Sequence, residues 1–353
     1  MTATGKVSII VLMHNHVAMT QSCLEHLAQA VDGLNHEVIL LDNASTEDTG
    51  PMCACGSLFR QYRILRTDQN LAFSKVNNLG ATEATGDWLL FLNNDVMVDR
   101  ASVRELMAPL QEDAGIGITG ARLLFPGRNK VQHAGIGHML WGIPSNYGVG
   151  ASPTDPRVSE RCERFALTGA MICLPQEAFR KVGGFDERYV WGVEDIDLCL
   201  KIRSAQLRVV YVPEATGIHP ESVTLKVTRL WETPHNHKVY RQTWDSWLTP
   251  REDDYIRTLK SQGVRTVAVF GTGIAARGLA AILDKSGIRI TAFTSTMTRT
   301  GGELFLDRPV VPLDSLREER YDRLIVASQF FFEVESAIRD YDPLQAPIYP
   351  LLI

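Results

Sequence analysis

The sequence predicts an α/β protein: a mostly parallel sheet flanked by helices over residues 1–225, then a helical extension and linker over 226–258 and a second, smaller α/β domain over 259–353. Three observations carry this reading. Short β-branched and apolar runs at Val7–Met13 (VSIIVLM), Glu37–Leu41 (EVILL) and within Gly86–Val98 (GDWLLFLNNDVMV) alternate with helical patterns, as strands covered by helices on both faces do. The chain has 353 residues, more than one typical core accommodates. A fresh strand–turn–helix–strand pattern begins at Val264–Phe270.

Taken in order, Val7–Met13 reads as a buried parallel strand. The following helix carries Leu24, Leu27, Ala28 and Val31 on one face at i, i+3, i+4, i+7 spacing. Glu37–Leu41 is the next strand and ends in Asp42-Asn43-Ala44-Ser45. Tyr62–Arg66 is a third strand, and Leu71–Thr85 a helix entered through Asp68-Gln69-Asn70. The run WLLFL then forms a strand that stops at Asn93-Asn94-Asp95, three residues that favour a turn. Val103, Leu106, Met107 and Leu110 mark another amphipathic helix. Pro126–Pro156, rich in Gly, Pro, Ser and Asn, carries His133, His138, Trp141 and Tyr147 without a period and reads as a functional insertion. Order returns at Phe165–Leu174, with Pro175 placed to start a helix that Gly183-Gly184 closes. Glu194 to about Ala205 is helical, Arg208–Val212 is a strand, and His219 lies in the turn beyond it. Glu221–Asp254 reads as helical, with a linker around Pro250–Asp254.

Composition excludes several classes. Hydrophobic residues make up 45% and charged residues 22%, ordinary values for a globular protein, and a formal net charge of −5 argues against a nucleic-acid binder. Six scattered cysteines suit a reducing compartment rather than a disulfide framework or a metal cluster. The N-terminus lacks a signal-peptide layout and no apolar stretch approaches the ~18 residues a span needs, so the expected location is the cytoplasm. Any membrane contact would be peripheral, at the inner face, and no strongly basic amphipathic helix marks one.

Asp42, Asp95 and Asp195 follow strand ends or start helices, positions that a parallel sheet gathers at its carboxyl edge. Asp95 with His219 would offer oxygen and nitrogen ligands to Mg²⁺ or Mn²⁺; each residue alone is equally compatible with an ordinary hydrogen-bonded turn. Glu194 and Asp195 lie in a first helical turn, where the macrodipole favours the ionised form and a placed carboxylate can accept a proton. Asp197 reads as a helix-capping group. Thr168-Gly169-Ala170 would either admit a ligand close to the backbone or simply pack tightly. Trp191 and Trp141 would offer a ring face to a ligand or pack in the core.

The segments VSIIVLMHN, VILLDNASTEDT, QNLAFSKVNNLG, GDWLLFLNNDV, LTGAMICLPQEAFRKVGGFDE and WGVEDIDLCLKIRSAQLRVVYVPEA, with His219, resemble in order and spacing the family 2 glycosyltransferases of the GT-A fold over about residues 5–225. The resemblance implies an inverting transferase that takes a nucleotide-diphosphate sugar (UDP-, dTDP- or GDP-linked) and a divalent cation, Mn²⁺ or Mg²⁺. It implies that Asp42 reads the nucleobase, that Asn15, Lys75, Asn77, Asn93, Asn94 and Gly169 contact the nucleotide-sugar, and that Asp95 and His219 hold the metal. Asp195 would be the general base, with Glu194 as the alternative or as an acceptor contact. The acceptor would be a glycan or lipid-linked glycan, chosen by Pro126–Pro156 and Glu221–Pro250. Asn93 stands where the family's motif begins with Asp, His14 where Tyr is common, and Ala72 where Gly is frequent; these departures bear on donor preference more than on the reaction.

In the second domain, Gly271-Thr-Gly273-Ile-Ala-Ala276-Arg-Gly278 has the context of a dinucleotide-binding turn, resembling Rossmann-like domains, but the acidic residue expected after Ile288–Phe293 is replaced by Thr294-Ser295. A structural or homo-oligomerising role is the better fit, and Phe330–Phe332 would serve a partner surface or the core. A different class of reading stays open, a non-catalytic binding or scaffold protein of the same fold whose carboxy-terminal domain senses a nucleotide. A nucleotidyltransferase is disfavoured, since no Gly-rich phosphate loop follows the first strand.

Overall fold

Strands β1 (Val7–Met13), β2 (His36–Asp42) and β4 (Trp88–Asn93) are buried almost without alternation, the signature of a sheet covered on both faces. Helix α1 (Val17–Ala30) buries Cys23, Leu24, Leu27 and Ala30 against them, and β3 (Tyr62–Arg66) and α2 (Phe73–Glu83) continue the alternation. Helix α3 (Ser102–Glu112) buries Val103, Leu106, Met107 and Leu110 as its spacing predicts. Strand β5 (Ile116–Leu124) was not read from the sequence, because Gly117 and Gly120 interrupt its apolar run. The short β6 (Val131–His133) pairs antiparallel with the end of β5. Strand β7 (Met171–Pro175), helix α4 (Glu194–Ser204) and strand β8 (Arg208–Ile218) follow.

The computed structural model describes residues 5–140, 144–220, 234–295, 302–328, 331–338 and 351–352. The chain forms two compact units, Met1–Ile136 with Ser152–Gln242, and Gly137–Ala151 with Thr243–Ile353. In the first, the main path of the sheet runs Cys162–Glu163, β8, β5, β7, β4, β1, β2, β3. β4, β1, β2 and β3 are mutually parallel, β7 runs antiparallel to both β4 and β5, and β8 is parallel to β5. The reversal at β7 matters. It brings the start of β7 to the carboxyl ends of β1, β2, β4 and β8, so Thr168–Ala170, Asp42, Asp95 and His219 share one edge.

The second unit has a sheet ordered β11 (Glu303–Phe305), β12 (Arg308–Val311), β10 (Arg289–Thr294), β9 (Thr266–Phe270), β13 (Arg323–Val326). β12, β10, β9 and β13 are parallel, so their chain order across the sheet is 3-2-1-4, that of a doubly wound half. Gly271 turns the chain from β9 toward helix α6 (Ile274–Ser286) at φ +118°, a conformation glycine adopts freely. A smaller sheet pairs Ile136–Met139 with Leu351–Leu352. Within this unit His138 is buried and faces Glu252 at 2.7 Å, and Phe332 packs edge-on against Tyr147. Pro250–Asp254 is not a linker: Pro234–Ser261 is one helix (α5). Leu248, Ile256 and Leu259 are buried, and the Arg251 side chain donates to the Trp247 carbonyl. All six cysteines are free. No helix among the described residues is long and apolar enough to cross a membrane. Trp141, Phe330 and all of 221–233 in the predicted helical stretch lie outside the described residues.

Candidate active site

The loops after β1 and β2 lock each other. The Asn15 side-chain oxygen accepts the N–H groups of Thr46 and Glu47 (2.7 and 3.1 Å), Asn15 N–H donates to Ser45 Oγ, and His14 Nδ1 faces the Asn43 carbonyl at 2.8 Å. Asp42 is 1% exposed; one oxygen accepts the Ser45 N–H and the other the Arg66 guanidinium. Asn43 bonds both the N–H and the carbonyl of Leu71, tying this crevice to the entry of α2. Lys75 stands exposed on the first turn of α2. Asn77 is buried and donates to Phe73 O, and Asn94 donates to Thr20 Oγ1 on α1, so both amides are engaged within the fold.

Asn93 N–H donates to the Ala170 carbonyl at 3.0 Å, which sets the turn carrying Asp95 beside the start of β7. One residue earlier, Gly169 N–H donates to Asp195 Oδ2 at 2.8 Å. A side chain at Gly169 would stand 3.3 Å from both Asp195 Cβ and Phe73 Cζ, so its smallness admits Asp195 itself. Asp95 and Asp195, a hundred residues apart, are thereby connected through two successive backbone contacts.

His219 follows β8, its N–H donating to Leu124 O. His219 Nε2 and Asp95 Oδ1 lie 3.2 Å apart, both buried and both without a hydrogen-bond partner. An oxygen and an imidazole nitrogen that converge without a hydrogen bond between them suit a divalent cation. Among the described residues no group of three or more His, Cys, Asp and Glu side chains gathers as a metal cluster, so this pair would supply only part of a coordination shell. On the far side of the imidazole stands Gln132, from the stretch the sequence leaves without a period.

The two adjacent carboxylates differ. Glu194 is 7% exposed with Oε2 unpartnered; burial, reinforced by the Asp195 charge, pushes its carboxyl up to about 8. Asp195 stays partly exposed; burial raises it too, while the N–H groups of Gly169 and Ile196 hold it down. Asp197 is not a helix cap: it is fully buried, ion-paired to Lys201 (3.0 Å) and accepting from the Tyr189 hydroxyl, an internal structural role. Ahead of them Val193 has φ +77°, a strained value for a β-branched residue. The preceding loop is held by Asn236 of α5, itself 0% exposed, which bonds Val190 N–H and the carbonyls of Trp191 (2.6 Å) and Gly192 (2.9 Å). No sequence signal singles out Gln132 or Asn236, since neither sits in a motif.

Residues 8–168 match the family described as Glycosyl transferase family 2, and residues 157–222 the one described as N-terminal domain of galactosyltransferase. The O-antigen biosynthesis protein RfbC of Myxococcus xanthus is 31% identical over 268 residues, 71% of this chain and 20% of that protein. The N-acetylglucosaminyl-diphospho-decaprenol L-rhamnosyltransferase of Mycobacterium tuberculosis (strain H37Rv) is 28% identical over 233 residues, 58% of this chain and 74% of the relative. The chain thus spans 20% of RfbC's length, its match lying within a much longer protein. The crystal structure of GalNAc-T7 with UDP, GalNAc and Mn²⁺ shares the fold at a TM-score of 0.55 and 15% identity, over 81% of this chain and 56% of that one. Residues 8–168 form a glycosyl transferase family 2 domain, and the first unit has the GT-A fold.

Proposed function

We propose that this chain transfers a sugar from a nucleotide-diphosphate sugar to a hydroxyl of a glycan or lipid-linked glycan, with inversion at the anomeric carbon. The observation that carries the reading is the Asp95–His219 pair, 3.2 Å apart and unpartnered, at the same sheet edge as Asp195. Asp95 and His219 would hold Mn²⁺ or Mg²⁺, which when bound supplies neutralisation of the departing diphosphate. The crevice of Asn15 and Asp42 would take the nucleobase; the Asp42 oxygens keep free lone pairs beside the bonds from Ser45 and Arg66. Asn93 would face the ribose or sugar, with Lys75 and Asn94 near the phosphates. Asn77 would hold the first turn of α2 in place for that contact.

Asp195 would accept the proton of the attacking hydroxyl, on the face opposite the leaving group. Its neighbour favours this division. Burial favours the neutral form of Glu194, which spares Asp195 a second adjacent charge, and two backbone N–H groups aim the Asp195 oxygens. The relatives support a surface polysaccharide or lipid-linked glycan as acceptor, since one is named an O-antigen biosynthesis protein and another an N-acetylglucosaminyl-diphospho-decaprenol L-rhamnosyltransferase.

The test is release of nucleoside diphosphate from a panel of UDP-, dTDP- and GDP-sugars with Mn²⁺, and the anomeric configuration of the product by NMR. Metal-dependent release with an inverted product supports the proposal. No release from any donor in the presence of a lipid-linked acceptor panel, or a retained configuration, overturns it.

A further inference from the structure

Gln132 is the middle residue of β6, which pairs with the end of β5, and β5 in turn pairs with the end of β8 just before His219. Its side-chain amide grips His219 twice. Gln132 Nε2 donates to the His219 backbone carbonyl at 2.9 Å, and Gln132 Oε1 lies 2.6 Å from His219 Nδ1. In the neutral ring these two contacts allow one arrangement of protons. A carbonyl oxygen only accepts, so the NH₂ end of the amide must face it and the oxygen end must face the ring. That amide oxygen also only accepts, so Nδ1 must carry a proton. Neutral imidazole has one N–H, so Nε2 is left as a bare lone pair, 3.2 Å from Asp95 Oδ1 and with no hydrogen bond of its own. Flipping the amide would set oxygen against oxygen at 2.9 Å.

We propose that Gln132 is a positioning residue for cation binding: it fixes His219 in the Nδ1–H tautomer and fixes the ring plane, so that Nε2 is presented as a ligand beside Asp95. This deepens the reading of Asp95 and His219 as the cation pair and rests on it. Partners that hold the remote nitrogen of a ligating histidine are commonly worth about 10–100-fold in metal affinity. Because β6 opens the irregular stretch after β5, the residue that orients the ligand comes from a segment without any motif.

Two measurements test the proposal on the full chain. Long-range ¹H–¹⁵N correlation spectra of histidine-labelled, metal-free protein at pH 8, with the His219 signal assigned by its absence in His219→Ala, should show the Nδ1–H tautomer, shifting to a mixture in the near-isosteric Gln132→Met. Titration of Mn²⁺ followed by electron paramagnetic resonance, alone and with UDP, should show binding weakened about 10–100-fold in Gln132→Met. Gln132→Glu keeps an oxygen for Nδ1–H but sets its second oxygen against the His219 carbonyl, so it should recover only part of the lost affinity. An Nε2–H tautomer in the wild type, Mn²⁺ affinity unchanged in Gln132→Met, or Gln132→Glu as weak as Gln132→Met would each overturn the role of Gln132 while leaving the metal pair standing. If wild type binds no Mn²⁺, or His219→Ala binds it as tightly, the metal reading itself fails, and this inference with it.

Discussion

Gly169 donates its backbone N–H to Asp195 Oδ2 at 2.8 Å, and a Cβ at Gly169 would meet Asp195 Cβ at 3.3 Å. The glycine therefore both binds the carboxylate and leaves the room it occupies. Gly169→Ala should move Asp195 by a few tenths of an ångström or more while removing no buried side chain. We expect turnover to fall by about 10–100-fold, with thermal stability lowered by only about 1 kcal/mol. Steady-state release of nucleoside diphosphate beside a melting curve separates the two effects.

Asp195→Asn keeps the shape of the side chain and removes its basicity. Turnover should drop about 10²–10⁴-fold, with donor binding unchanged by calorimetry. Comparable turnover in this variant would transfer the role of base to Glu194.

The Glu194 carboxyl, raised to about 8 by burial, makes stability depend on pH in a defined direction. The folded state holds this proton to a higher pH than the unfolded state does. The contribution is therefore complete below the ordinary glutamate range and is lost as pH rises through about 8. Wild type should lose on the order of a few kcal/mol between pH 5 and 9 from this group. Glu194→Gln, neutral throughout, should flatten that slope. Denaturant midpoints at pH 5, 7 and 9 read it directly.

Asn236→Ala deletes the amide that bonds Val190, Trp191 and Gly192 just ahead of Val193. Losing three contacts around a buried backbone should cost about 1–3 kcal/mol of stability. The strained Val193 would relax and the loop before Asp195 would loosen. The acceptor KM should rise more than the donor KM, measured by varying each at saturation of the other.

Chelation with EDTA should abolish turnover, and added Mn²⁺ should restore it in wild type but not in Asp95→Ala. Activity that survives chelation would remove the cation from the chemistry altogether.

Most of the first unit was legible because its strands obey one simple rule. β1, β2 and β4 are continuous apolar runs, and α1 and α3 carry their buried residues at helical spacing, so local pattern and final burial coincide. β5 escaped because two glycines break its run. Pro250 pointed to a linker because proline disfavours helix interiors, yet the buried face of Leu248, Ile256 and Leu259 carries α5 through it. The stretch 126–156 was read as one insertion, whereas Gly137–Ala151 belongs with the second unit, a long-range pairing that no local pattern encodes.

What the sequence determined by itself was the strand–helix alternation and the identities of the chemical groups at strand ends, because apolar periodicity and turn residues act over a few residues. What only tertiary structure decided was which groups meet. The reversal of β7 carries Gly169 to Asp195 and Ala170 to Asn93, and the pairing of β6 on β5 brings Gln132 to His219. Such contacts depend on strand direction and register across tens of residues, and these are settled by burial of the whole sheet rather than by any one segment.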